Sequence, residues 1–313
     1  MPISDESGLE PAGSAQGPVL QATKLHPPAL RDGTVRRARL TLSLAGARPS
    51  LCLVVAPPGF GKTSLLADWA AVDPRPFAWV AIDEQDNDRT ALWTYIGAAL
   101  GLASGDEGAP ERLAGLARAP DPAAAVLQAF EPPETGMVLV VDDYHLIESE
   151  ACHQSALRLI ELAPATLQLV ISSRTDPPLP IARLRATERL TEVRSDALQF
   201  TSEETATLVN TSLGLGLAPG SIARLHERTD GWPAGLYLAY LSMRGTEDRD
   251  AFVATFGGSN RHVYDYLTEQ VLSSLEEDTL QFMLATSILD RVSGALADAL
   301  TEKTGSAQRL VEL

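Results

Sequence analysis

Residues 51–63 read LCLVVAPPGFGKT. The first six, Leu51 to Ala56, are apolar without alternation, which marks a strand buried on both faces, as in a parallel sheet covered by helices. A Pro/Gly turn follows, and then a helical pattern over Thr63–Val72. A strand, a glycine turn and a helix start in that order make a phosphate-binding loop. Gly59 and Gly61 let backbone N–H groups curl around an anion, and the helix N-terminus adds its positive end. Lys62 is placed to reach the β- and γ-phosphate oxygens, and Thr63 to offer its hydroxyl to Mg²⁺. The expected nucleotide cradle is Ala56, Pro57, Pro58, Gly59, Phe60, Gly61, Lys62, Thr63 and Ser64, with Ala56 where the usual pattern has its first glycine. Only three of the 25 basic residues are lysines, Lys24, Lys62 and Lys303. In a chain that otherwise uses arginine, a lysine at this position reads as a need for a compact ammonium.

Similar apolar runs recur at Phe77–Ile82, Met137–Val141 and Leu167–Ser172, and more weakly at Leu190–Arg194. Helical patterns lie between them at Thr90–Leu100, Pro122–Phe130 and Cys152–Leu162, and another begins near Arg37. Alternating strands and helices predict an α/β fold with a parallel sheet, here a P-loop NTPase of the ASCE type. The Gly/Pro-rich stretch Ala103–Pro122 reads as a surface excursion.

Two acids, Asp142 and Asp143, close the run MVLVVDD at 137–143. An acid at the end of a buried strand needs a partner. Mg²⁺ suits Asp142, and Asp143 then serves to polarise an attacking water. Helix capping is the competing role for the pair. The guanine-specific pattern Asn-Lys-x-Asp is absent from the sequence, so adenine is favoured. Arg174, closing the strand run after Ser172 and Ser173, is a candidate γ-phosphate sensor; a salt bridge to Asp176 is the alternative. The five histidines show no metal spacing, and Cys52 and Cys152 are too few for a disulfide framework or a cysteine zinc site.

Past residue 198 the strand signals stop. Thr201 and Glu204 form a capping box for a helix to about Leu213. Ser221–Thr229 is a second helix, ended by Gly231, and Pro233 suits the first turn of a third, Pro233–Met243. A further helix spans Arg261–Leu272, with Val263, Leu267 and Val271 on one face, and Ser274 with Glu277 forms a second capping box. The organisation expected is a disordered lead at 1–23, a nucleotide-binding domain at 24–198, a helical domain at 199–258 and a third unit at 259–313. The pattern AQRLVEL at 307–313 is helical up to the last residue, as in a chain that continues.

Charge and hydropathy exclude several functions. The 313 residues carry a net charge of −16, which repels phosphate backbones, so this stretch is not expected to bind DNA directly. The same charge disfavours an anionic membrane surface. No apolar run approaches a membrane span, and the N-terminus has no secretory pattern. A cytoplasmic protein is expected.

Taken in order, several segments resemble the MalT-like branch of the STAND ATPases, the nucleotide-binding core of large LuxR-family regulators. They are TVRRARL near 34, FAWVAIDEQDNDRTALWTYIGAAL (77–100), VLVVDDYHLI (138–147), ISSRTDPPLPIARLRA (171–186), LQFTSEE (198–204), RTDGWPAGLYLA (228–239) and HVYDYLTEQVLSSLEEDTLQFMLATSILDR (262–291). The resemblance covers about residue 23 to the end. It implies a P-loop domain, an all-α helical arm and the start of a winged-helix domain near 260–313. It also implies an ADP/ATP switch with slow Mg²⁺-dependent hydrolysis, self-association in the ATP state, an unidentified inducer and a role in transcription regulation. Pro233 would lie near the adenine or the phosphates, and Arg174 would be the sensor arginine. The family's C-terminal sensor and helix-turn-helix DNA reader have no counterpart in 1–313, so either the chain is part of a longer one or DNA binding is not its task. Competing readings are a P-loop small-molecule kinase, for which 103–136 offers few basic residues as a lid, and a nucleotide-dependent scaffold that never turns over.

Overall fold

Five short strands pair in parallel in the order β2-β3-β4-β1-β5. They are β1 (Leu51–Val55), β2 (Phe77–Ala81), β3 (Met137–Asp142), β4 (Leu167–Ser173) and β5 (Leu190–Val193), each within a residue or two of the apolar run that predicted it. The computed structural model describes residues 20–46, 51–289 and 291–312. The order inserts β4 between β1 and β3, with Val55 beside Ser173 and Val141 beside Ile171. The phosphate-loop strand and the acid-bearing strand are therefore separated by one strand, as the ASCE expectation requires.

By packing, the chain divides into two units. The first contains the sheet and comprises Arg39–Val55, Thr63–Val193 and the segment up to Ala29. Its helices are α1 (Ala38–Gly46, starting one residue before the unit), α2 (Lys62–Val72, likewise), α3 (Arg89–Ser104), α4 (Ala109–Ala114), α5 (Pro122–Ala129), α6 (Glu150–Leu162) and α7 (Ile181–Ala186). β1, β3 and β4 are buried along their whole length, as double-sided helix cover demands. Leu53, Val80, Trp93, Leu139 and Leu169 belong to one continuous apolar core. Most of the expected lead, residues 1–19, lies outside the described residues, but order begins before residue 24. Ala22–Leu25 form a 3-10 turn, and the buried Lys24 ammonium pairs with Asp83 at 3.1 Å and with Asp86. Burying a lysine is tolerated only with such partners.

The stretch Ala103–Pro122 is not a surface excursion. α4 and a 3-10 turn at Gly115–Arg118 pack on α3, with Ala109, Leu113 and Ala117 in the core. Gly97 and Gly101 on α3 permit the approach. A Cβ on Gly101 would stand 2.4 Å from the backbone nitrogen of Pro110, and one on Gly97 2.6 Å from the carbonyl carbon of Leu113. The composition of 103–122 read as a loop because the packing rests on glycines and alanines, which carry little hydrophobic signal. The obstacle at Gly101 is backbone, which cannot swing aside. Gly101→Ala is therefore expected to destabilise the protein by about 1–3 kcal/mol, the usual range for overpacking. Urea unfolding checks this; an unchanged midpoint would show that α3 and α4 are not tightly packed.

The second unit comprises Leu30–Ala38, Ala56–Lys62 and everything from Arg194. Its helices are α8 (Ser195–Leu198), α9 (Ser202–Ala206), α10 (Pro219–Thr229), α11 (Pro233–Met243), α12 (Arg249–Thr255), α13 (Arg261–Gln270), α14 (Glu277–Thr286), α15 (Gly294–Thr301) and α16 (Ser306–Glu312). The capping box at Thr201 and Glu204 forms as expected. The helix it opens does not run on evenly to Leu213, because it widens into a π-turn over Thr207–Ser212. α10 is closed by Asp230 in the left-handed region (φ 49°), one residue before the expected Gly231. α14 begins after Glu276, whose side chain makes no cap, and the side chain of Ser274, expected to form a capping box with Glu277, lies outside what the structure describes. Val209, Leu225, Leu236, Met243 and Val253 make the unit's core, and Val263 of α13 joins it. Arg37, 5% exposed, donates to the carbonyls of Ala197 (3.3 Å) and Gln199 (2.9 Å) and lies over the Phe200 ring. Within this unit it fastens 34–37 to the α8–α9 corner.

Candidate nucleotide site

The phosphate loop lies between β1 and α2, and the two expected glycines have the conformations it needs. Gly59 (φ +82°) and Gly61 (φ +76°) are both in the left-handed region that favours glycine. A Cβ on Gly61 would meet nothing within 4 Å, so the backbone there borders open space. α2 starts at Lys62, and the N–H groups of its first turn have no partners within the helix. Lys62 is 7% exposed, and its Nζ donates to the carbonyls of Ala56 (2.7 Å) and Pro57 (3.2 Å). Left-handed glycines, the N–H groups of a helix N-terminus and one ammonium form a donor set suited to phosphate oxygens.

The other face of this loop is held by the start of α11. Trp232 Nε1 donates to the carbonyl of Pro58 at 3.3 Å, and the backbone N–H of Ala234 donates to the carbonyl of Gly59 at 3.0 Å. Pro233, between them, occupies the first turn of the helix. The segment 231–234 thus contacts the loop through Trp232 and Ala234. No local signal in the sequence gives the Trp232 indole this role.

Within the first unit, the end of β3 carries a polar cluster. Asp142 is 2% exposed. Ser172 Oγ donates to Asp142 Oδ1, the Thr63 hydroxyl also hydrogen-bonds to the carboxylate, and the Asp143 N–H reaches Oδ1 at 3.2 Å. Burial, and then the neighbouring Asp143 charge, push the Asp142 carboxyl above the usual carboxylate range, while the hydroxyl bonds act against this. A nearby cation would reverse the shift. One buried carboxylate beside one threonine hydroxyl is a hard-oxygen set, the kind Mg²⁺ takes when phosphate and water complete its shell. Among the described residues no group of three or more His, Cys, Asp or Glu could hold a metal by itself, so the fit is to a metal carried with a nucleotide. Ser172, grouped in the sequence with Ser173 and Arg174 at the end of this strand, comes level with Asp142 through the parallel register, one step past the Val141–Ile171 pair.

Asp143 follows in the left-handed region (φ 58°, ψ 36°), unusual for a residue with a side chain. Its side chain is 43% exposed, with Oδ1 3.9 Å from His145 Nδ1. It does not cap the following 3-10 turn, Tyr144–Leu146. Arg174 is half-buried at the end of β4. Ser64 is exposed on α2.

The sheet order, the glycine loop opening α2 and the buried acid ending β3 define a P-loop ATPase fold. The Walker-type ATPase PABY2304 of Pyrococcus abyssi shares it with a TM-score of 0.57 over 91% of this chain and 90% of that one, at 13% identity. More particularly, the chain is homologous to the MalT transcriptional regulators. It is 34% identical over 302 residues to the HTH-type transcriptional regulator MalT of Yersinia enterocolitica, covering 94% of this chain and 33% of that protein. Residues 268–313 match the MalT winged helix domain. The serine/threonine-protein kinase PknK of Mycobacterium tuberculosis is 32% identical over 314 residues, covering 94% of this chain and 27% of that protein. The chain therefore spans about a third or less of the length of the curated relatives it matches. No helix among the described residues is long and apolar enough to cross a membrane.

Proposed function

We propose that this chain is the ATP-binding switch of a cytoplasmic signalling regulator, a STAND-type ATPase core that exchanges ADP for ATP and hydrolyses slowly. The observation that carries this reading is the cluster at the end of β3. A buried Asp142 hydrogen-bonded by Thr63, the residue after the loop lysine, joins the phosphate motif to the acid motif. The loop Ala56–Ser64 holds the phosphates, with Lys62 on the β- and γ-oxygens. Thr63 and Asp142 hold Mg²⁺, which neutralises phosphate charge when bound. Asp143 takes the proton of an attacking water as the water oxygen bonds to the γ-phosphorus and the bond to the β-phosphate oxygen breaks. Arg174 senses the γ-phosphate, and Pro233 lines the nucleotide beside the loop. The domains in this reading are 24–198 for the nucleotide, 199–258 as helical arm and 259–313 as the start of the winged helix.

The same stretch recurs in proteins named a transcriptional regulator and a protein kinase, each much longer than this chain. That recurrence favours a regulatory module over a self-contained metabolic enzyme such as a small-molecule kinase. The inducer and any DNA contact belong to other parts of a regulator of this kind, and the ATP state self-associates. The test is mass spectrometry of nucleotide released from fresh protein, with the native mass of the same sample. ADP on a monomer supports a closed switch; an empty protein that turns over ATP freely contradicts it. In the same assay Asp143→Asn is expected to keep ATP binding, to lower hydrolysis at least ~100-fold as loss of a general base does, and to increase the oligomer. Unchanged turnover and assembly would remove Asp143 from the mechanism, and the first of these without any wild-type hydrolysis would leave a scaffold.

A further inference from the structure

The proposed base, Asp143, stands in the left-handed backbone region (φ 58°), which costs a side-chain-bearing residue free energy although Asp enters it more readily than most. Two hydrogen bonds close the turn behind it: Leu146 N–H to the Asp143 carbonyl (3.1 Å) and Ile147 N–H to the Tyr144 carbonyl (3.0 Å). The next side chain adds a tertiary anchor. Tyr144 is 2% exposed and points into the core, where its hydroxyl is 3.0 Å from Nδ1 of His153 on α6. The two rings lie 5.7 Å apart, and His153 is itself 6% exposed. Burial holds the His153 imidazole below its ordinary pKa, and burial likewise holds the Tyr144 phenol protonated. The pair is therefore neutral, with the phenol donating to Nδ1 when Nε2 carries the ring proton. α6 is fastened in turn, since Ser155 Oγ accepts from Trp93 Nε1 of α3 at 2.9 Å and donates to the Cys152 carbonyl. A chain of buried contacts thus runs from α3 through α6 to the residue beside Asp143.

We propose that His153 and Tyr144 are positioning residues for hydrolysis: their buried hydrogen bond sets the Asp143 turn, and through it where the carboxylate points. The proposal rests on Asp143 being the base. Neither residue touches nucleotide; each acts on kcat through the turn. A strained turn with one anchor removed relaxes toward ordinary backbone angles, and a misplaced base costs rate while ground-state binding stays.

The test uses the 313-residue chain and ATP with Mg²⁺, and measures steady-state hydrolysis, ATP and ADP affinity and thermal midpoint. Wild type and Asp143→Asn come first. If Asp143→Asn hydrolyses like wild type, the base assignment has failed, and the His153 data then bear on nothing but folding. If it is inactive, Tyr144→Phe, which keeps the ring and removes only the hydroxyl, is expected to lower kcat about tenfold with KM and nucleotide affinity within twofold. His153→Leu is expected to do the same. His153→Asn, whose Oδ1 can accept the phenol proton where Nδ1 did, is expected to recover most of the rate. Wild-type kcat in both Tyr144→Phe and His153→Leu overturns the proposal. So does a loss that His153→Asn fails to recover, or one that falls equally on nucleotide affinity, since either would mark a merely structural contact.

Discussion

Lys62→Ala is expected to weaken ATP and ADP binding by at least ~100-fold while the protein stays folded. In the structure the ammonium is buried and satisfied by two loop carbonyls, those of Ala56 and Pro57. It is therefore preformed over the loop with its side chain already ordered. A phosphate would exchange those neutral acceptors for charged ones, and hydrogen bonds to charged groups contribute roughly 1.5–3 kcal/mol each. Two of them make ~3 kcal/mol, or about a hundredfold in affinity. The fold has less at stake at Pro57, which is exposed so that its carbonyl can turn to water, while the buried Ala56 carbonyl loses a partner at a cost of about 1–3 kcal/mol. Isothermal titration with both nucleotides, beside a thermal melt, separates the two effects. Tight binding by a folded Lys62→Ala protein would sink the phosphate-loop assignment altogether.

Gly59→Ala should be nearly as damaging, for a different reason. The residue sits at φ +82°, where an L side chain costs about 1–2 kcal/mol. The added Cβ would also lie 2.6 Å from Ala234 Cβ and 2.8 Å from both Trp232 Nε1 and Tyr266 Oη. The loop must shift, and the bonds from Trp232 and Ala234 to Pro58 and Gly59 go with it. Nucleotide affinity is expected to fall ~10- to 100-fold from strain and clash together, with a change in tryptophan emission as the Trp232 indole loses its partner. The contrast is Gly61→Ala, which carries the backbone strain but meets no neighbour; it should leave the Trp232 signal unchanged. If both variants alter it alike, the contact of 231–234 with the loop is not what makes Gly59 indispensable.

Much of the site could be read directly from short stretches of sequence. Four apolar runs became strands of the sheet, since a run apolar on both faces sits best between two helix layers, and the weaker run at 190–194 became the half-buried edge strand β5. Glycines at 59 and 61 announced a loop with positive φ, because only glycine takes that conformation without strain. Thr201 with Glu204 and Pro233 marked helix starts correctly, as end chemistry acts over three or four residues. Asp142 and Asp143 were legible as acids ending a buried strand. The resemblance to MalT-like proteins added what no local pattern contains: the expected place of Pro233, and a winged helix at the C-terminal end, which the match at 268–313 bears out.

What only the tertiary structure decided concerns partners far apart in the chain. Ser172 meets Asp142 because β4 lies beside β3 in register, 30 residues away. Trp232 meets Pro58 across 174 residues. Tyr144 finds His153 where sequence alone offered a histidine without metal spacing, and α4 packs on two glycines in a segment whose composition looked like loop. Periodicity, capping and turn chemistry are short-range, so a sequence states them locally and unambiguously. Hydrogen bonds between distant side chains and close backbone contacts exist only after the core has closed. Their energy depends on burial and on distances that no single segment encodes.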